Sequence, residues 1–110
     1  MIDQARLEEL VNDFGEEDLA EIIEVFLDET WEAINALEAV IGAMTADEQR
    51  ERFHFLKGCA RNIGALTFGD ICEKWEQDSA PFTAAGYASL RGAFQQVCDD
   101  LMGRGLRLSA

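Results

Sequence analysis

Proline occurs once, at Pro81, and no stretch alternates apolar and polar residues between turn signals. Sheet is therefore poorly supported, and helices can run unbroken on either side of that one position. Basic residues are scarce: nine Lys and Arg stand against 22 Asp and Glu, a formal net charge of −13. So acidic a chain argues against nucleic acid and against a membrane as partners, because phosphate-rich surfaces are bound by cations. Cysteine is limited to Cys59, Cys72 and Cys98, an odd number without a C-x-x-C pair. Three such thiols suggest no disulfide framework and are expected to be reduced and mostly buried. No apolar run approaches the ~20 residues that cross a bilayer. The first 30 residues lack the basic start and apolar run of a signal peptide, and the expected location is cytoplasmic.

Apolar residues make up 48% of the chain and charged residues 28%, the balance of a globular protein. The 110 residues fit a single domain, 1–110, with a bundle core over about 17–102. That length leaves no room for a nucleotide-binding catalytic domain. The start at Met1 and the short length suit a free protein rather than a fragment of a larger kinase.

Helix signals divide the chain. A short helix is expected over 3–13, with Leu7, Leu10 and Val11 on one side and Gly15 closing it. A long helix is expected over 17–41. Its acidic start (Glu16, Glu17, Asp18) suits the positive end of a helix dipole. Its apolar positions Leu19, Ile22, Ile23, Phe26, Thr30, Ile34, Leu37 and Ile41 step by three and four, and Gly42 is a natural stop. Thr45 and Glu48 form a T-x-x-E capping box for a third helix running to about Ala65. Thr67 and Asp70 repeat the pattern for a fourth, ending near Ser79. The last, from about Thr83 to Met102, carries Tyr87, Leu90, Phe94, Val97 and Leu101, and Gly103 and Gly105 end it. The expected fold is all-α: an antiparallel four-helix bundle with a short additional N-terminal helix.

The third helix carries the chemistry. Wound at roughly 100° per residue, it turns Phe53, Leu56, Cys59, Ala60 and Ile63 towards a core. His54, the only histidine, stands on the opposite, polar face. Residues 50–61 hold four of the nine bases (Arg50, Arg52, Lys57, Arg61) and a single acid, Glu51. Arg50, Lys57 and Arg61 share the face of His54, where they would suit a dianionic group on the imidazole. A solvated face paired with acids of a neighbouring helix would account for the same charges. Gly58, one turn after His54, costs about 1 kcal/mol in a helix interior relative to Ala. Access for another protein would explain it, as would close helix packing.

The run His54-Phe55-Leu56-Lys57-Gly58-Cys59-Ala60-Arg61-Asn62-Ile63-Gly64-Ala65 resembles the signature of histidine-phosphotransfer (HPt) domains, and Phe68, Ile71-Cys72 and Trp75-Glu76 continue it. The resemblance implies a phosphocarrier of two-component phosphorelays in which His54 is the phosphorylated residue. It implies that Lys57 contacts the phosphoryl oxygens and that Gly58 leaves space for a receiver domain. Gly64 would serve the turn or close packing. Cys59 stands where many members have a small residue, which implies no redox role. In several members a Gln on the next helix also reaches the phosphohistidine; here Glu73, Glu76 or Gln77 occupies that region. The implied partners are receiver domains and a histidine kinase or hybrid kinase, with Mg²⁺ expected only in the receiver and no cofactor or metal in this chain.

In mechanism, Arg50, Lys57 and Arg61 would favour the neutral, nucleophilic imidazole and then offset the charge it gains. Exposed apolar residues beside His54, Phe55 first among them, would dock on the receiver. Two other readings compete. A degenerate bundle could bind partners without carrying phosphate, which intact His54, Lys57 and Gly58 oppose. A metal or hydrolytic site would need convergent ligands, yet Cys59 lies across the helix from His54 and no second histidine exists. Autokinase activity is not expected, since no Gly-rich phosphate loop is present.

Overall fold

The computed structural model describes residues 2–104. Four helices follow one another: α1 (Gln4–Glu38), α2 (Ala46–Ile63), α3 (Leu66–Gln77) and α4 (Ala84–Gly103). They form a ring in which α1 and α3 each pack against both α2 and α4. No strand occurs among the described residues, only an isolated bridge between Ile2 and Ala65. The all-α expectation holds.

The N-terminal stretch is the first part of α1 rather than a separate helix. Helical residues continue on both sides of Gly15, which alone leaves helical geometry, at φ 79° and ψ 162°. A side chain would be strained at that φ, so glycine permits the kink without ending the helix. At its far end α1 stops at Glu38, short of the expected Ile41, and tight turns fill 39–43. The stripe of α1 also differs from the expected one. Leu19, Ile23, Leu27, Thr30, Ile34 and Leu37 are buried, while Ile22, Phe26 and Ile41 are half-buried.

Helix α2 begins as the sequence predicts. The Thr45 hydroxyl accepts from Glu48 N at 3.1 Å, and Thr45 N donates to the Glu48 carboxylate at 3.3 Å. It ends at Gly64, which adopts the left-handed conformation (φ 74°) and donates back to the last turn. A Cβ there would also lie 2.9 Å from that of Arg6. Both the turn and close packing therefore require this glycine. Because Gly64 reverses the chain so sharply, α3 is already under way at Leu66. Its cap residue is Ala65, with no side-chain hydrogen bond, so the expected Thr67–Asp70 capping box does not form. Helix α3 ends at Gln77, ahead of Ser79. Thr83 caps α4 by accepting from Gly86 N at 3.0 Å. Gly103 is the last residue of α4, and Gly105 lies outside the described residues.

The core is rich in aromatics. Phe53, Trp75 and Phe82 form one cluster, with Phe53 and Phe82 centroids 4.9 Å apart and Trp75 and Phe82 5.0 Å apart. Phe94 joins Phe68 at 5.1 Å and Trp31 at 4.7 Å. Gln49 is the buried polar residue of α2. Its amide donates to the carbonyls of Trp75 and Ala80, and its oxygen accepts from Phe82 N at 2.8 Å. It thereby ties the α3–α4 connection to α2. The opening of the chain is pinned to the α2–α3 turn by Asp3 N to Gly64 O, 2.7 Å, and Arg6 Nε to Asn62 O, 3.0 Å.

Candidate functional site

The buried positions of α2 are Gln49, Phe53, Leu56, Cys59, Ala60 and Ile63. Anchoring that face turns His54 outward, with 72% of its side chain exposed. Gly64 and Ala65 are all that separate α2 from α3, so the two helices run back along one another. His54 stands ten residues before Gly64, and Glu76 eleven after Ala65. At equal rise per residue these distances put the two at nearly one height.

Glu76 is the α3 residue at the histidine. Its Oε2 lies 2.6 Å from His54 Nδ1. Its Oε1 accepts from Lys57 Nζ. The carboxylate is 11% exposed and the Lys57 side chain 12%, so the bridge is largely withdrawn from water. The Lys57 ammonium, helped by the donor from His54, holds the Glu76 carboxyl below the usual carboxylate range against the opposing effect of burial. Ionised, a carboxylate only accepts. The imidazole proton therefore sits on Nδ1, and in the neutral ring Nε2 carries the lone pair. Nε2 has no hydrogen-bond partner among the described residues.

The other expected site residues are placed as follows. Arg61 lies on the face of His54, 3.6 Å from Glu73 of α3 in an exposed ion pair. Such pairs contribute about 0–1 kcal/mol, so this cation stays available to an anion. Arg50, also exposed, pairs with Asp47 one turn earlier. A Cβ at Gly58 would meet nothing within 4 Å. Helix packing therefore does not explain this glycine, and the surface beside His54 is open. Phe55 is 51% exposed and borders a shallow groove with Ala33, Glu51, Arg52 and Leu56. The charged group nearest the imidazole is thus the Glu76 carboxylate of the next helix, and not one of the cations Arg50, Lys57 and Arg61 expected to favour the neutral ring.

Of the three α3 candidates left open, Glu73 meets Arg61 and Glu76 meets His54. The signal that singles out Glu76 was present. At roughly 100° per residue it stands about 40° from buried Cys72, while Glu73 stands about 100° away and Gln77 about 140°. An acid that continues an apolar stripe faces the neighbouring helix. Among the described residues no group of three or more His, Cys, Asp or Glu could hold a metal ion. Cys59, Cys72 and Cys98 are free and buried. No described helix is long and apolar enough to cross a membrane.

The family model of the Hpt domain matches residues 21–101. No curated protein and no solved structure matches the chain.

Proposed function

The chain belongs to the Hpt domain family, the histidine-phosphotransfer modules of two-component systems, and from that premise we propose that His54 Nε2 is the atom that carries the phosphoryl group. The donor is a receiver-domain aspartyl phosphate or a histidine kinase, and the acceptor is the receiver domain of a response regulator. The observation that carries this reading is the 2.6 Å contact between His54 Nδ1 and Glu76 on an imidazole left 72% exposed. One ring nitrogen is engaged and the other faces outward with a lone pair.

The step balances without a proton leaving the ring. The Nε2 lone pair attacks phosphorus as the P–O bond of the aspartyl phosphate breaks, and its electron pair departs on the aspartate. The ring becomes an N-phosphoimidazolium that keeps its proton on Nδ1. Glu76 lies where it offsets the positive charge that grows on the ring, as carboxylates beside catalytic histidines do. In onward transfer the N–P bond breaks, its pair returns to Nε2, and the ring is neutral again. Positioning and electrostatics supply the rate, as in other phosphoryl transfers, and Mg²⁺ comes with the receiver's acidic pocket.

The partner's approach is over Gly58, where no side chain stands in the way. The exposed ring of Phe55 offers it apolar contact, and Arg50 and Arg61 are cations for the phosphoryl oxygens and the receiver's acidic rim. This chain has no autokinase activity on this reading. Incubation with a phosphorylated receiver is expected to put acid-labile phosphate on the protein, lost in His54→Gln, with none from ATP alone. Labelling by ATP without a kinase, or undiminished labelling of His54→Gln, would overturn the proposal.

A further inference from the structure

Acids cover most of this chain, but not α4. Residues 79–98 hold none of the 22 acids and one base, Arg91. The other acid-free run of comparable length is 52–69, around His54. Helices α1 and α3 stand between α2 and α4, so the outer face of α4 points away from the histidine and takes no part in the function proposed above. At roughly 100° per residue, Ala85, Ala88, Gln96 and Asp99 fall within about 40° of Gly92, and all five are exposed. Arg91 is drawn off this line, over the Trp31 ring at 5.1 Å and onto Asn35 Oδ1 at 2.6 Å. Glycine weakens a helix interior, yet a Cβ at Gly92 would meet nothing within 4 Å. Packing within the chain therefore does not require this glycine, whereas the close approach of another backbone does.

We infer that the outer face of α4 docks a second copy of this chain, the two α4 helices packing antiparallel and crossing at Gly92. A net charge of −13 repels two copies wherever their acids face each other, and this face is where that repulsion is least. The face is also complementary to itself. Ala85 and Asp99 stand seven residues on either side of Gly92, and Ala88 and Gln96 four. A two-fold axis through Gly92 sets each small residue opposite a longer polar one, and the paired glycines let the helix axes approach closely. The same axis brings each Asp99 to the first turn of the other copy's α4, a positive dipole end with no acid of its own. Among the described residues the Asp99 carboxylate is bonded by Gln95 alone, at 3.1 Å. Beyond it Met102, 61% exposed, extends towards the exposed Ala80 and Pro81 of the other copy.

One helix pair buries less than the roughly 1,200 Å² of a standard stable interface, so the dimer is weak and depends on concentration. Sedimentation velocity of the full chain, from about 10 µM to about 1 mM at physiological salt, should show the mass rising from one chain towards two. Gly92→Glu puts like charges together on the two-fold axis and should weaken association at least about tenfold. With open space around its Cβ, this variant should keep a folded urea transition. Asp99→Lys sets a cation against a helix N-terminus and should weaken association about threefold or more. Ala85→Lys, placed opposite Asp99, should tighten it by about the same factor. A mass of one chain over the whole range, or association that Gly92→Glu leaves unchanged, would overturn the inference. Weakening by Ala85→Lys would rule out the antiparallel pairing and overturn it too. A chain that stays monomeric but loses binding to a receiver domain in Gly92→Glu would assign the face to the receiver in place of a second copy. None of these readouts needs His54, so failure of the carrier function would leave them standing.

Discussion

His54 and Glu76 meet at 2.6 Å although α2 and α3 carry them on separate helices. The contact sets which nitrogen of the imidazole is free, so that on the proposed function the chemistry of one helix depends on a carboxylate from the next. Its strength depends on Glu76 being ionised, and that dependence can be measured.

Glu76 keeps its charge to lower pH than an ordinary carboxyl, chiefly because Lys57 bonds it. A carboxylate whose folded value is depressed contributes stability above its unfolded value, about 4.3. That contribution fades as pH falls through the folded value. Denaturant unfolding should show wild type more stable than Glu76→Gln at pH 7, with the gap closing below about pH 4. A gap unchanged at pH 3 would contradict the ionised bridge.

Gly58 is expected to be dispensable for folding. A Cβ there meets open space, so Gly58→Ala should raise stability by about 0.5–1 kcal/mol through helix propensity. Gly58→Leu should fold normally yet lose phosphoryl acceptance, because its side chain occupies the partner's approach. Urea midpoints alongside transfer rates test both. Destabilisation by the alanine would mean that the glycine serves packing.

Gln49 should matter for stability more than its polarity suggests. Removing its amide in Gln49→Leu leaves the N–H of buried Phe82 without a partner, along with the carbonyls of Trp75 and Ala80. One orphaned buried group costs about 1–3 kcal/mol, and the loss expected by chemical denaturation is about 2–3 kcal/mol. A loss below 0.5 kcal/mol would show that water replaces these bonds.

The thiols should be silent in the native protein. Burial, reinforced by the neighbouring Cys59, pushes the Cys72 thiol up to about 12, and burial also raises Cys59 and Cys98. Because the thiolate is the reactive species, a disulfide reagent at pH 8 should label almost nothing until urea is added. It should then label three groups per chain. Rapid labelling of the folded protein would contradict the burial.

Much of this architecture could be read before the fold was known. Phe53, Leu56, Cys59, Ala60 and Ile63 are all buried as their spacing predicts, because a helix bounded by its own capping box leaves little freedom in register. The outward stance of His54 follows from the same register. Relations between helices were harder to read. The burial of Leu27 ahead of Phe26 turns on how α1 is rotated against its neighbours. The missing Thr67 cap follows from the tightness of the Gly64 turn. Gln49 finds its partners at the end of α3 and on the α3–α4 connection, which local periodicity does not locate. Glu76 is the instructive case, since its position on the stripe was legible but its counterpart required knowing that α3 returns alongside α2.

Helices α2 and α3, with two residues between them, hold His54, Lys57, Gly58 and Glu76. The reactive geometry is thus the property of a hairpin, and the remaining helices are its buttress. Substitutions in α1 and α4 that preserve core volume are expected to leave this hairpin, and the outward stance of His54 on it, as they are.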